Sequence, residues 1–258
     1  MTLGHVIQTR LPHTPWADPA LARMPGMRPV GEASWIVVDD AYAAQMAERA
    51  RLMRERPGDV MVALPEAADA LAELREVVLA ALPAGFERRG GRVRRPDGEE
   101  VAAEGPPLEV LNRLIQEDLL VLDRRGDEHV LLAGLLCFPA HWTLREKIGR
   151  PLTRIHAPVP DYDAALAGRV QRLFDRAPPG RAMWRANVLP HSEATLHRPR
   201  TEGTPRERAE AARYVRSERQ TLLRLPRTGA MLFAVHTWIV ALEDLTPAQR
   251  AGCPLIAS

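Results

Sequence analysis

Two pairs of apolar segments, each joined by a short turn, place the strongest constraint on the fold of this chain. The first pair is Glu117–Leu122 and His129–Phe138, and the second is Thr221–Leu225 and Ala230–Leu242. The residues between the members of each pair are rich in turn formers. A short turn joins antiparallel neighbours, because parallel strands need a long crossover. The sequence therefore predicts a mainly antiparallel sheet.

Helical patterns lie between the predicted strands. Apolar residues at three- and four-residue spacing predict helices that begin near Asp39, Pro65 and Asp163. Shorter patterns predict a strand at Ser34–Asp39, a hairpin at Phe86–Arg95, a helix at Asn112–Gln116, a strand at Met183–Leu189 and a helix from Pro205 to about Ser217. This mixture is typical of the α+β class, with helices flanking the sheet. We expect a single domain at 24–258 after an extended arm at 1–23, in which His13 is exposed to solvent.

Charge and cysteine content exclude several classes of protein. The net charge is only +2, and the arginine-rich run Glu87–Arg95 is followed directly by acidic residues. Aromatic residues make up just 5% of the chain, so this run indicates a solvated hairpin rather than a nucleic-acid surface. The two cysteines, Cys137 and Cys253, are too far apart in sequence for a C-x-x-C zinc site and too few for a four-cysteine iron–sulfur cluster. We expect both thiols to be reduced and buried.

Other motifs are absent from the sequence. No apolar run reaches the roughly 18 residues of a membrane span, and the N-terminus has no signal-peptide pattern. We therefore expect a soluble, cytoplasmic protein. The chain contains no H-E-x-x-H, G-x-S-x-G, Walker or G-x-G-x-x-G motif. Zincins, serine hydrolases, P-loop enzymes and Rossmann oxidoreductases are not supported.

His156 has the most restrictive surroundings of the histidines. It lies in Ile155-His156-Ala157-Pro158-Val159-Pro160, where the two prolines predict a stiff, non-helical backbone. A neutral imidazole held among apolar residues suits the iron of a haem. The alternative is a structural histidine that bonds a backbone carbonyl. For a single histidine, the residues alone favour that alternative.

Two segments that contain arginine offer groups for a flat, anionic cofactor. In Met183–Asn187, Trp184 is suited to pack against a planar ring system, and Arg185 to pair with a carboxylate such as a haem propionate. The alternative is a strand with a core tryptophan and a surface arginine. In Arg216–Pro226, three arginines surround Glu218, which indicates either an internal salt-bridge network or an anion clamp.

Taken in order, several segments resemble one known family. They are Met27–Pro29 with Trp35 and Asp39–Tyr42, Gln116–Leu119, Cys137–Pro139 with Trp142, Glu146–Leu152 leading into Ile155–Pro160, Trp184–Asn187, and Glu218–Leu222 with Arg224–Pro226 and Thr228–Ala230. This ordered set resembles the haem-dependent oxidative N-demethylase family. Singly the motifs are not specific, whereas their order along most of the chain is.

The resemblance implies a PAS-like fold that binds haem b. It also implies a monooxygenase that uses O₂ to oxidise a methyl group on a small secondary or tertiary amine, with formaldehyde as the released product. By position, His156 matches the iron ligand expected in the family. Arg185 and Arg219 match residues expected at the propionates or the pocket, and Trp184 completes this cofactor-binding set. Electrons must come from a separate flavin and iron–sulfur reductase, because the chain has no nucleotide motif and only two cysteines.

Two departures from the family pattern lie at positions expected near the pocket. Val188 follows Asn187 where we expect a tryptophan, and His236-Thr237-Trp238 replaces an Arg-Thr-Tyr-like triplet. These departures leave the identity of the amine, and turnover itself, open. The alternative functions are a PAS-type haem sensor or binding module without catalysis, and a scaffold without haem in which His156 is structural. The sequence does not indicate the oligomeric state.

Overall fold

Within the described residues, eight strands form one main sheet. The computed structural model describes residues 6–21, 26–31, 34–158, 162–204 and 211–256. The strands are β1 Arg28–Pro29, β2 Met61–Ala63, β3 Glu87–Arg89, β4 Arg92–Arg94, β5 Glu100–Ala102, β6 Asp118–Arg125, β7 Glu128–Leu135, β8 Met183–Ala186, β9 Leu189–His191, β10 Tyr214–Arg224 and β11 Met231–Ala241. The helices are α1 Tyr42–Glu55, α2 Pro57–Val60, α3 Ala68–Ala81, α4 Pro107–Asn112, α5 Leu144–Lys147, α6 Leu152–His156, α7 Ala164–Arg176 and α8 Pro247–Arg250.

Both predicted strand pairs lie at the centre of this sheet. The strand order is β1-β8-β10-β11-β6-β7-β2, and β9 pairs with the first residues of β10. The named pairs are antiparallel, and the longest runs from Tyr214 opposite Ala241 to Arg224 opposite Met231. The α+β class and the mainly antiparallel sheet are thus confirmed. A PAS-like fold and the division into an arm and a single domain remain predictions.

The main sheet has two sides that the strand register distinguishes. Side chains alternate along a strand, so Trp184, Ser217, Arg219, His236 and Trp238 share one face. We call this face the arm side, because the N-terminal segment packs on it within a small apolar cluster that includes Trp238.

The opposite face carries the second layer of helices, and we call it the α7 side. Met183, Leu222 and Phe233 project from it into an apolar cluster with Phe174 of α7 and Leu152 of α6. Asp163 begins α7 as predicted, since its side chain accepts a hydrogen bond from the Leu166 amide at 2.7 Å. The helices of this layer therefore cover the α7 side through apolar packing.

Several local predictions are confirmed. The arginine-rich run forms the hairpin of β3 and β4, and its arginines are exposed except Arg95, which is half-buried. Cys137 and Cys253 are both buried and unpaired. Helices α1, α3 and α7 occupy the three periodic segments. The predicted strand at Met183–Leu189 is divided between β8 and β9.

Three predicted elements are wrong. Ser34–Asp39 forms no strand, because side chains take its amides: Val37 N–H donates to Glu117 Oε1 at 2.8 Å. The predicted helix at Asn112–Gln116 ends at Asn112, since α4 begins earlier, at Pro107, where a proline suits the first turn. Of the predicted helix from Pro205, residues 205–210 lie outside the described residues, and Tyr214–Ser217 belongs to β10.

A fully buried ion pair joins α1 to the central hairpin. Arg49 Nη1 donates to Asp118 Oδ1 at 2.7 Å and to the Gln116 carbonyl at 3.0 Å. Asp118 also accepts hydrogen bonds from the amides of Cys137 and Phe138, both at 2.8 Å. The carboxylate thus holds one helix, the start of β6 and the chain after β7 at one point.

A second buried polar group lies on the arm side of the sheet. His236 on β11 lies between two carboxylates, with Nδ1 at 3.1 Å from Glu117 and Nε2 at 3.0 Å from Asp39. Burial alone would lower the pKa of His236, but hydrogen bonds and charges of the two carboxylates outweigh it and raise the pKa to about 9. The imidazole is therefore a cation at neutral pH. Gln8 of the N-terminal segment donates to the same Asp39 at 2.7 Å.

We expect Arg49→Met to destabilise the protein severely. The substitution keeps an apolar side chain in place but leaves Asp118 buried without its counter-ion, which costs about 3–5 kcal/mol. Urea unfolding followed by circular dichroism measures the change. The double variant Arg49→Met/Asp118→Asn is expected to recover part of the loss, because no charge is then left unpaired. A loss below about 1 kcal/mol in the single variant would contradict this role.

The cluster around His236 predicts a loss of stability at alkaline pH. A histidine whose folded pKa is raised stabilises the protein below its unfolded pKa, about 6.5, and the contribution is lost as the pH rises through about 9. We expect the free energy of unfolding to fall by roughly 2 kcal/mol between pH 7 and pH 9, with a further loss above pH 9. His236→Gln is the control, and it should remove this dependence. An identical pH profile for the two proteins would show that His236 is not protonated in the folded state.

Candidate functional site

His156 is the last residue of the short helix α6. The prediction of a non-helical presentation is wrong, because Pro151 starts a helical turn that continues through His156. Of the prolines that suggested rigidity, Pro158 is described and Pro160 lies outside the described residues. The imidazole is held by the helix itself, and its side chain is half-buried at the edge of the apolar cluster on the α7 side.

One nitrogen of the His156 ring is bonded within α6. Nδ1 lies 2.9 Å from the carbonyl oxygen of Leu152, one helical turn earlier. A carbonyl only accepts hydrogen bonds, so Nδ1 carries the proton and Nε2 retains its lone pair. Burial lowers the pKa of His156, and the charge of Lys147 lowers it further, against the opposing effect of the Leu152 carbonyl. The ring is thus neutral at physiological pH, and Nε2 is the nitrogen that keeps a lone pair.

Stacking fixes the plane of the same ring. The Tyr162 ring lies parallel to the imidazole, with centroids 4.3 Å apart and an angle of 16° between the planes. The Tyr162 hydroxyl is buried and has no hydrogen-bond partner among the described residues. A buried donor without a partner is costly, so this phenol is suited to a polar group of a bound molecule.

Arg185 lies on the α7 side of the sheet. Adjacent residues of a strand face opposite sides, and its neighbours Trp184 and Ala186 face the arm side. Its Nη1 donates to Gln220 Oε1 at 3.2 Å, and its buried Nε has no acceptor within the described ranges. It forms no ion pair there either, and burial lowers its pKa. A half-buried guanidinium that lacks a carboxylate is suited to an anionic group of a ligand.

A row of polar side chains continues from Arg185 along β10. Asn187 Nδ2 donates to Glu218 Oε2 at 3.0 Å, and Arg216 Nε donates to Glu218 Oε1 at 3.0 Å. The predicted salt-bridge network around Glu218 is therefore confirmed for Arg216. Asn187 and Gln220 were not predicted as site residues. The alternation of side chains along a strand could have identified them, because Asn187 shares a face with Arg185, and Gln220 faces away from its neighbour Arg219.

Trp184 and Arg219 lie on the other side of the sheet. The Arg219 guanidinium stands over the Trp184 ring, 5.0 Å from its centroid. The Trp184 ring lies near His13 of the N-terminal segment, with centroids 6.0 Å apart. His13 is half-buried rather than exposed to solvent: its Nε2 lies 2.9 Å from Ser217 Oγ and its ring centroid 4.9 Å from that of Trp238. Burial, with the charges of Arg219 and His236, lowers the pKa of His13 to about 4.

The four predicted cofactor-binding residues thus divide into two pairs. His156 and Arg185 lie on the α7 side, and Trp184 and Arg219 lie on the arm side. A single planar molecule on one face does not reach both pairs directly. Of the departures from the family pattern, His236 and Trp238 also lie on the arm side, whereas Thr237 faces the α7 side with a buried hydroxyl that has no described partner.

The described residues contain neither a cluster for a bare metal ion nor a membrane-spanning helix. In the portion of the chain that the structure describes, no three His, Cys, Asp or Glu side chains are grouped to hold a bare metal ion. A haem iron needs only one or two axial ligands from the protein, so the finding does not concern haem. Among the described helices, none is long and apolar enough to cross a lipid bilayer.

Comparison with protein families adds an independent finding. The model of the family described as "Haem-dependent oxidative N-demethylase, alpha subunit-like" matches residues 26–257. The matched region contains α6 with His156, β8 with Arg185 and the whole of the main sheet. Its description names one subunit of an assembly, so a partner subunit is implied. The match spans most of the chain, and the protein therefore belongs to the haem-dependent oxidative N-demethylase, alpha subunit-like family.

Proposed function

We propose that this protein is a haem-dependent oxidative N-demethylase that holds haem b on the α7 side of its PAS-like sheet. The observation that carries the proposal is the Nδ1 bond of His156 to the Leu152 carbonyl, which leaves Nε2 free as an axial ligand of the iron. The family description supports haem as the cofactor and oxidative N-demethylation as the reaction class. We also propose a cytoplasmic location, which the two buried, unpaired thiols support.

The residues on the α7 side fit a haem in three respects. His156 offers a neutral imidazole in a fixed plane, and the neighbouring cluster of Ile155, Met183 and Phe233 offers the apolar surroundings that a porphyrin requires. Arg185 offers an unpaired guanidinium for a propionate. The contacts of Trp184 and Arg219 support a different role, which is to fix β8 and β10 against the N-terminal segment.

When bound, the haem supplies the activation of O₂. The overall reaction consumes a methylated amine, O₂, two electrons and two protons, and it yields the demethylated amine, formaldehyde and water. The electrons come from a separate flavin and iron–sulfur reductase; the family description, which names an alpha subunit, supports a partner but not its kind. His156 would hold the haem through Nε2, and the polar row of Asn187, Glu218 and Gln220 offers hydrogen-bonding groups for the amine nitrogen.

Replacement of His156 is expected to abolish stable haem binding. His156→Gly removes the axial ligand, so the Soret band of protein loaded with hemin should be lost or shifted, and added imidazole should restore it. Absorption spectra during a hemin titration measure the effect. His197→Gly is the matched control, because His197 also lies 2.8 Å from a backbone carbonyl through Nδ1 and has an unpaired Nε2. Equal spectral changes in the two variants would refute the assignment of the ligand.

The same hemin titration distinguishes the roles of Arg185 and Arg219. Arg185→Gln is expected to weaken hemin binding about tenfold, because a charge-assisted hydrogen bond contributes about 1.5 kcal/mol or more. Arg219→Gln should leave hemin affinity unchanged, since its side chain lies on the arm side. The reverse order of effects would move the haem to the other face of the sheet.

Turnover is tested with small methylated amines. The haem-loaded protein is mixed with dimethylamine or trimethylamine, a surrogate flavin and iron–sulfur reductase and NADPH, and formaldehyde is measured. We expect formaldehyde in proportion to the amine consumed, and none with His156→Gly. A normal Soret band with no formaldehyde from any methylated amine would reject the enzyme and favour a haem sensor or binding module.

A further inference from the structure

The outer face of α7 carries a row of exposed arginines. Arg169, Arg172 and Arg176 are three and four residues apart, so they lie on one face of the helix, and all three are exposed. At a rise of about 1.5 Å per residue, the row is roughly 10 Å long. The opposite face of α7 is apolar and packs through Leu173 and Phe174 into the cluster on the α7 side.

The charge of this row is not compensated by the protein. None of the three arginines forms an ion pair with a described residue. Asp175 is the single acidic side chain within α7, and its carboxylate is already paired with Arg124 of β6. On other helices Arg51 pairs with two glutamates and Arg154 with Glu202, whereas Arg54 at the end of α1 is exposed and has no ion pair with a described residue, like the arginines of this row.

The row also lies close to the proposed axial ligand. Helix α7 begins at Asp163, directly after Tyr162, whose ring stacks on His156. Arg169 is seven residues beyond Tyr162, a distance of roughly 10 Å along the chain at helical rise. A protein that docks on this face therefore approaches the side of the molecule on which His156 lies.

We propose that the outer face of α7, defined by Arg169, Arg172 and Arg176, is the docking site for an acidic surface of the electron-donor protein. This inference rests on the proposed function and specifies where its partner binds. Unpaired surface charges steer association and set its salt dependence more than its ultimate affinity. The donor transfers one electron at a time to the ferric haem, which is reduced to ferrous haem, while the donor's iron–sulfur centre is oxidised.

The test uses an acidic plant-type [2Fe–2S] ferredoxin as the probe. Calorimetry measures its binding to the protein with and without hemin, at low and at high salt. Stopped-flow absorption measures haem reduction by the ferredoxin under carbon monoxide. The variant Arg169→Gln/Arg172→Gln/Arg176→Gln should weaken ferredoxin binding and slow this reduction about tenfold at low salt, since each exposed ion pair with the partner contributes only weakly. Reduction by dithionite and the Soret band should stay unchanged.

A second triple variant is the matched control. Arg54, Arg56 and Arg88 are also exposed and form no ion pair with a described residue, but they lie outside α7. Their replacement by glutamine should leave binding and reduction at the level of the natural protein. Equal losses in both variants, or no ferredoxin binding at low salt, would overturn the docking site. Salt-dependent binding to a protein that takes up no hemin would retain the docking surface and reject the haem.

Discussion

The buried pair of Arg49 and Asp118 is the interaction on which the architecture depends. Asp118 stands at the start of β6, and it bonds α1 through Arg49 and the chain after β7 through the amides of Cys137 and Phe138. An uncompensated charge at this depth is not tolerated, so helix, hairpin and following chain must assemble together. The ion pair thereby fixes the position of the central strands of the sheet relative to α1.

The two faces have different physical characters. On the arm side, His236 is held between two carboxylates and Arg219 stands over Trp184, but Arg219 Nε and Glu117 Oε2 are buried without a partner among the described residues. On the α7 side, apolar packing surrounds polar atoms that lack partners, among them Arg185 Nε and the Tyr162 hydroxyl. Both sides therefore contain unpaired polar atoms, and what distinguishes the α7 side is His156 beside the apolar cluster. These two features are why we propose the haem on the α7 side.

Much of the fold follows from local sequence patterns, and the errors have physical causes. Short turns between apolar runs gave the central antiparallel pairs, and helical periodicity gave α1, α3 and α7. The predicted strand at Ser34–Asp39 failed because its amides bond distant side chains, which no local pattern reveals. The start of β10 was mistaken for a helix because buried polar residues, Arg216 and Ser217, hide the alternation of its apolar residues.

The candidate site was predictable only in part, for the same reason. His156 was selected from its neighbours and from the resemblance, but its helical setting depends on a turn too short to leave a periodic signal. Assignment of Trp184 and Arg185 to one site ignored the alternation of a strand, which sends adjacent side chains to opposite faces. That rule needs no structure, and it already separates Arg219 from Gln220.

The position of His156 in α6 determines which of its ring nitrogens would be available to haem. The carbonyl that selects the protonated nitrogen belongs to the same helical turn as the imidazole, so the selection requires no distant part of the fold. If His156 is the iron ligand, as proposed, its Nε2 already has the lone pair that iron requires before any porphyrin arrives. Haem binding would then need no change of tautomer at His156.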